Sequence, residues 1–245
     1  MHVQPEPTGV PIADLQPDAA AVAAPQLVAS PVPAPSALPV DGVVVAASQI
    51  PPRKRPRPGE RRVQILQTLA AMLEQPGAER ITTAALAGRL DVSEAALYRH
   101  FASKAQMFEG LIEFIESSVF TLVNQITERE ADGRVQAARI ATMLLQFCEK
   151  NPGMVRVMVG DALVFENERL IARMNQFFDR LESQLRMSLR SAADAAGVAT
   201  PTVQSQALAS ALTSFLVGRL QRYARSGFKR APTEQLEAIL ARLVG

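Results

Sequence analysis

Thirteen of the 17 prolines fall within residues 1–58, and this placement limits where a regular fold can begin. Proline has no amide proton and disfavours helix in the residue before it, so closely spaced prolines such as Pro31, Pro33 and Pro35 cannot nucleate regular structure. The apolar content of residues 1–52 is mostly Ala and Val, small side chains that bury too little area to offset the entropy of ordering. Residues 1–52 are therefore expected to be a disordered, partly polyproline-like extension, with the fold beginning beyond Pro58.

Charge divides at nearly the same place. The chain has 26 Lys and Arg against 24 Asp and Glu, a formal +2. Residues 1–52 contain four acids (Glu6, Asp14, Asp18, Asp41) and no base, so they carry −4 and leave +6 on residues 53–245. No apolar run in the first 52 residues approaches the ~20 that a membrane helix needs. A secretory leader opens on positive charge, yet the first base is Arg53. The lone Cys148 excludes an intrachain disulfide framework and a multi-cysteine zinc site, and fits a reducing cytosol. With two histidines, His2 and His100, and no phosphate loop, nucleophile elbow or paired-carboxylate loop, catalysis has little to work with. These features predict a soluble cytoplasmic protein that is not an enzyme and takes no cofactor and no metal.

From Glu60 onward the apolar residues recur at helical spacing and no strand pattern is evident. Val63, Leu66, Leu69, Ala70 and Leu73 mark a first helix ending near Pro76-Gly77. A short second helix fits Thr83–Leu90, capped by Thr82 or Thr83, and Asp91-Val92 makes a turn. Ser93–Phe101 reads as a third, capped by Ser93, with Leu97 and Phe101 on its inner face. Ser103-Lys104-Ala105-Gln106 is a capping box, which starts a long fourth helix reaching Ile126. Arg134–Lys150 is stopped by Asn151-Pro152, which also opens the next helix. A seventh reaches about Ala196 with Gly197 behind it, an eighth runs from Thr200-Pro201 to near Gly227, and Thr233–Leu243 is a ninth. Cys148, beside Phe147 on an apolar face, reads as a small buried hydrophobe. The Met143, Leu144, Phe147 and Met174, Phe177, Phe178 stripes are either core or the lining of an effector pocket.

A short helix, a tight turn and a second short helix with polar tips is the helix-turn-helix plan, in which the second helix lies in the major groove. Its outer face needs small residues for close approach and polar ones for contact. Ser93, Glu94, Ala95, Ala96, Tyr98, Arg99 and His100 supply both. Ala95 or Ala96 suits a thymine methyl, and Arg99 or His100 a base edge or phosphate. Tyr98 and Lys104 suit phosphate, Lys104 from a helix N-terminus. Thr82 is either a cap alone or a cap that also faces phosphate. Just upstream, Arg53-Lys54-Arg55-Pro56-Arg57-Pro58-Gly59-Glu60-Arg61-Arg62 holds six bases and one acid. It is either a solvated linker or a basic arm along phosphates.

At Ile81–Ala87, and at Leu97-Tyr98-Arg99-His100-Phe101 followed by Ser103-Lys104, the sequence resembles the TetR family of DNA-binding regulators. Narrower stretches, among them Leu111–Glu116, Glu149–Gly153, Asn175–Phe178 and Arg225–Lys229, resemble its nucleoid occlusion members, from about Glu60 to Thr233. That resemblance implies an all-α fold: a helix-turn-helix head over residues 60–104, preceded by the 53–62 arm, and a dimerisation and partner-binding bundle over 105–245. It further implies a homodimer that binds palindromic sites on double-stranded DNA and sits on the nucleoid. Once bound, such proteins contact the division protein FtsZ and prevent ring assembly there. Thr82 and Ser93–His100 would read DNA, Lys104 would hold a phosphate, and Phe114, Lys150 and Asn151 would face FtsZ. Leu122 and Gln146 depart from the family's pattern on that surface. Each partner residue also has a plain reading, Phe114 as packing and Lys150 and Asn151 as helix-end charge and cap. The apolar faces near 170–189 and 203–223 are the expected dimer seam, with half-sites ~34 Å apart. The alternative function is a ligand-responsive repressor of the same fold.

Overall fold

A computed structural model describes residues 59–75 and 81–244. The extension over 1–52, the arm residues 53–58 and the Pro76-Gly77 stop lie outside the described residues. The described residues form nine α-helices and no strand. They are α1 (Glu60–Leu73), α2 (Thr83–Leu90), α3 (Glu94–Tyr98), α4 (Lys104–Arg129) and α5 (Gly133–Lys150). After these come α6 (Pro152–Met158), α7 (Glu168–Ala195), α8 (Pro201–Arg225) and α9 (Leu236–Leu243), with one 3-10 turn at Asp161–Leu163.

The helix ends follow local chemistry. Thr82 Oγ1 accepts from the Ala85 amide (3.1 Å) and Ser93 Oγ from that of Ala96 (3.3 Å). Ser103 Oγ accepts from the Gln106 amide at 3.2 Å, but the returning Gln106 side chain bonds the Ala102 amide (2.8 Å), one residue before its expected partner. Gly197, at φ 66°, closes α7 as the Val198 amide reaches back to the Ala193 carbonyl at 3.0 Å.

Two helices are shorter than their sequence suggests. α3 stops at Tyr98 because the His100 and Phe101 amides both bond the Leu97 carbonyl (2.9 and 3.1 Å). That tightening draws Phe101 into the core. α9 begins at Leu236 because Thr233 is held outside the helix, its hydroxyl donating to Glu149 Oε2 at 2.7 Å.

One apolar core runs from α1 through α9 without a break. The first turns of α4 pack under α1, where Gly110 lets Leu66 approach to 3.1 Å from the position a Cβ would take. α6 abuts α1 still more closely: a Cβ on Gly153 would lie 2.1 Å from the Ala70 carbonyl oxygen. Leu97 and Phe101 face inward at 1% exposure, as their spacing predicts. Met143, Leu144, Phe147, Met174 and Phe177 are buried side chains of the core, and Phe178 packs against it half-buried. Cys148 is fully buried, with its thiol donating to Met158 Sδ at 3.6 Å, and burial pushes the thiol's pKa up.

Candidate nucleic-acid interface

The outer end of the head is built from α2 and α3. Thr82, Ser93, Glu94, Ala95, Tyr98, Arg99 and His100 are exposed and Ala96 half-exposed, so the sequence-predicted readers share one accessible edge. Arg99 and His100 lie on the turn that follows α3, not on the helix itself. A small network orders this edge. Thr83 Oγ1 donates to Glu94 Oε2 at 2.6 Å, and the Tyr98 hydroxyl reaches Thr83 Oγ1 at 3.5 Å. Thr83 therefore fixes the relative position of α2's entry and α3. Sequence reasoning treated it only as a possible cap, because nothing local reveals a hydroxyl's partner eleven residues away.

Two basic residues have protein partners. Arg62 belongs to α1, donates to the His100 carbonyl (3.1 Å) and stacks on the Phe101 ring at 4.1 Å from its centroid. It ties the first helix to the end of the reading element, a role the charge run alone does not reveal. Lys104 forms an ion pair with Glu166, which precedes α7. Two further pairs extend this contact along α4 and α7. Arg169 meets Glu109 at 2.5 Å, and Arg173 meets Glu116 through two bonds of 2.9 and 2.6 Å. The Glu116 hydrogen bond raises the Arg173 pKa above its ordinary value.

The residues assigned to a protein partner gather where α4 and the α5–α6 corner meet. Phe114 is half-buried, its ring 6.3 Å from that of the fully buried Phe147. Lys150 is exposed at the last turn of α5. Asn151 is buried and its amide donates to the Phe147 carbonyl at 2.8 Å, so it closes α5 rather than capping α6 with its side chain. Leu122 is buried and Gln146 exposed, so of the two departures only Gln146 alters the surface.

With this arrangement in view, the matches to known proteins are consistent along the chain. Residues 65–111 match the family described as bacterial regulatory proteins, tetR family, and residues 131–244 a SlmA-like, tetracyclin repressor-like C-terminal domain. The nucleoid occlusion factor SlmA of Aliivibrio fischeri (strain MJ11) is 51% identical over 189 residues, covering 77% of this chain and 96% of that protein. The chain belongs to the SlmA family of TetR-type proteins. SlmA of Vibrio vulnificus (strain YJ016) is likewise 51% identical, over 184 residues, covering 75% of this chain and 93% of the relative. Among solved structures, the TetR family transcriptional regulator PfmR from Thermus thermophilus superposes with a TM-score of 0.62 at 22% identity, over 75% of this chain and 95% of that one. FadR from Bacillus subtilis, solved with stearoyl-CoA, gives 0.58 at 13% identity, over 74% and 97%. These two share the fold. In the SlmA family member described here, a cleft of about 250 Å³ lies between the start of α5, α7, α8 and α9, lined by Arg134, Gln204 and Arg242 among others. The stripe residues Met143, Phe147, Met174 and Phe177 do not line it. Among the described residues no helix is long and apolar enough to cross a membrane.

Proposed function

We propose that this chain is a nucleoid occlusion factor. A homodimer reads palindromic chromosomal sites through the α2–α3 edge and, once bound, inhibits FtsZ ring assembly over the nucleoid. The observation that carries this reading is the 51% identity to SlmA over 189 residues, which spans the head and the bundle together.

The chemistry of the edge supports the DNA half. Its small residues, exposed Ala95 and half-exposed Ala96, allow close approach to bases, and Thr82, Tyr98, Arg99 and His100 supply polar contacts at its rim. Lys104 takes a phosphate by exchanging Glu166 for it. On the partner side, half-buried Phe114 and exposed Lys150 offer an apolar spot beside a cation, and Asn151 holds the corner that presents them. The dimer seam follows the outer face of α8. There Ala207, Ser210, Ala211 and Ser214 are exposed small residues that let a second copy's helix approach. Within the faces near 170–189 and 203–223, Leu170, Met174, Phe177, Leu212 and Leu216 are buried in the protomer, while Ile171, Met187 and Val203 are exposed. Bringing dimers together on neighbouring sites raises their avidity for a polymer.

The deciding assay is co-sedimentation of FtsZ polymers with the full chain, with and without a duplex selected from a random-sequence pool. Fewer polymers in the presence of the selected duplex is the expected result. Polymer yield that ignores the protein under both conditions overturns the occlusion reading.

A further inference from the structure

Residues 219–230, Arg-Leu-Gln-Arg-Tyr-Ala-Arg-Ser-Gly-Phe-Lys-Arg, contain five bases and no acid. Arg219 is engaged, donating to the Glu234 carbonyl at 2.8 Å and lying over the Phe215 ring. The other four, Arg222, Arg225, Lys229 and Arg230, are exposed, and among the described residues none forms an ion pair with a carboxylate. The fold gathers them. Ser226 Oγ accepts from both the Lys229 and Arg230 amides (3.1 and 3.0 Å), and Phe228, at φ 62°, packs on Tyr223 with ring centroids 5.1 Å apart. The chain after α8 thus doubles back over its last turn and sets four cations on one corner. A helix C-terminus favours cations in its final turn. That accounts for Arg222 and Arg225 but not for Lys229 and Arg230, which lie beyond the helix end.

The corner lies at the head end of the bundle. Gln206 of α8 sits between Glu182 and Arg186 of α7, bonded to each at 3.1 Å. Equal steps along these antiparallel helices bring Arg222 level with Glu168, the first residue of α7. A cleft lined by Val159, Asp161, Gln221 and Arg225 places the end of α8 against the segment that follows α6. Glu166, in that layer, pairs with Lys104, the first residue of α4 and the last of the DNA-reading set. Phe228 also lies beneath Arg156 of α6 (5.3 Å), and α6 is the helix that abuts α1.

The head itself brings little field to a polyanion. Residues 59–115 hold six bases against seven acids, and of those bases Arg61, Arg62 and Lys104 are bonded to protein groups; the arm before them adds Arg53, Lys54, Arg55 and Arg57. Attraction to phosphate is the sequence-independent part of DNA affinity and needs cations from somewhere.

We propose that Arg222, Arg225, Lys229 and Arg230 form a second phosphate-contacting surface, by which the bundle engages the backbone of the same duplex the head reads. This rests on the DNA-binding reading above. The surface adds affinity and salt dependence without sequence preference. A rigid duplex is favoured over an acidic peptide because the corner sits at the head end of the bundle and residues 59–115 carry no net positive charge of their own.

The test compares the full chain with the variant Arg222→Gln, Arg225→Gln, Lys229→Gln, Arg230→Gln, using two duplexes, one selected from a random pool and one of mixed sequence. Circular dichroism and sedimentation check fold and assembly, and the single variant Arg225→Glu serves if the quadruple one is misfolded. Affinity for both duplexes is expected to fall by the same factor, about tenfold at low salt. The slope of log K against log salt should shrink by about 2 per dimer, one phosphate lost per protomer. An unchanged slope overturns the proposal. So does an unchanged slope with weakened FtsZ co-sedimentation, which would assign the corner to a protein partner instead. If the unaltered chain shows no preference for its selected duplex, and Tyr98→Ala changes nothing, the underlying DNA reading fails, a separate result.

Discussion

Thr83, Gly153 and Gly133 carry more weight than their size suggests. Thr83 holds Glu94 and Tyr98 in register across the α2–α3 edge. Thr83→Val should weaken binding to the selected duplex by about three- to tenfold, since losing a hydrogen bond to a charged group costs about 1.5–3 kcal/mol locally and exposure reduces this. The thermal midpoint should move little. Gel-shift titration beside a melting curve checks this, and a cycle with Tyr98→Phe measures the coupling. Gly133 and Gly153 serve close approach rather than unusual backbone angles. A Cβ on Gly133 would lie 1.9 Å from the Ser188 carbonyl oxygen, and one on Gly153 2.1 Å from that of Ala70. Neither obstacle is a flexible side chain, so whole helices would have to move. Gly153→Ala is expected to cost about 2–3 kcal/mol, read as a lower urea midpoint at unchanged m-value.

Among the elements, α4 does the most positioning. Its first turns lie under the head, and its acids Glu109 and Glu116 hold Arg169 and Arg173 of α7, a helix packed along α8. The ladder links the DNA-reading edge to the proposed dimer helices. Arg173→Gln removes a paired, partly exposed rung and should lower the unfolding free energy by about 1 kcal/mol, an effect that salt diminishes. Chemical denaturation at two ionic strengths measures it. Arg62 distinguishes tether from arm. Arg62→Lys keeps the charge but loses the planar stack on Phe101, so stability should fall by about 1 kcal/mol while the salt slope of DNA binding stays the same. A reduced slope would instead place Arg62 on phosphate.

For the molecule as a whole, a shared core makes head and bundle interdependent. Leu66, Phe101, Phe108 and Leu111 belong to the same packed cluster as Phe147 and Phe177. Thermal unfolding of the full chain should therefore follow one transition by both circular dichroism and fluorescence of an attached probe on the head. Two separated transitions would show independent folding. Dimerisation through the small-residue face of α8 predicts that Ala211→Arg yields monomers by sedimentation equilibrium. Operator affinity should then fall at least a hundredfold, because two heads no longer bind as one unit.

Helical periodicity, the caps Thr82, Ser93 and Ser103, and the Leu97/Phe101 anchors are local properties, so the order of helices and the short α2–α3 pair were legible in the chain. The helical architecture of the described residues followed from the same spacing. Other features depend on residues far apart in sequence meeting in space. Arg62 bonds thirty-eight residues away, Lys104 sixty-two. No local pattern tells a free cation from a paired one, or a capping asparagine from one turned inward like Asn151. Arg222, Arg225, Lys229 and Arg230 carry no local sign that, among the described residues, none of them pairs with a carboxylate. Sequence determined which segments are helical and which faces are apolar, because those depend on neighbours three and four positions apart. Tertiary structure alone decided which charges are already satisfied and which still face outward.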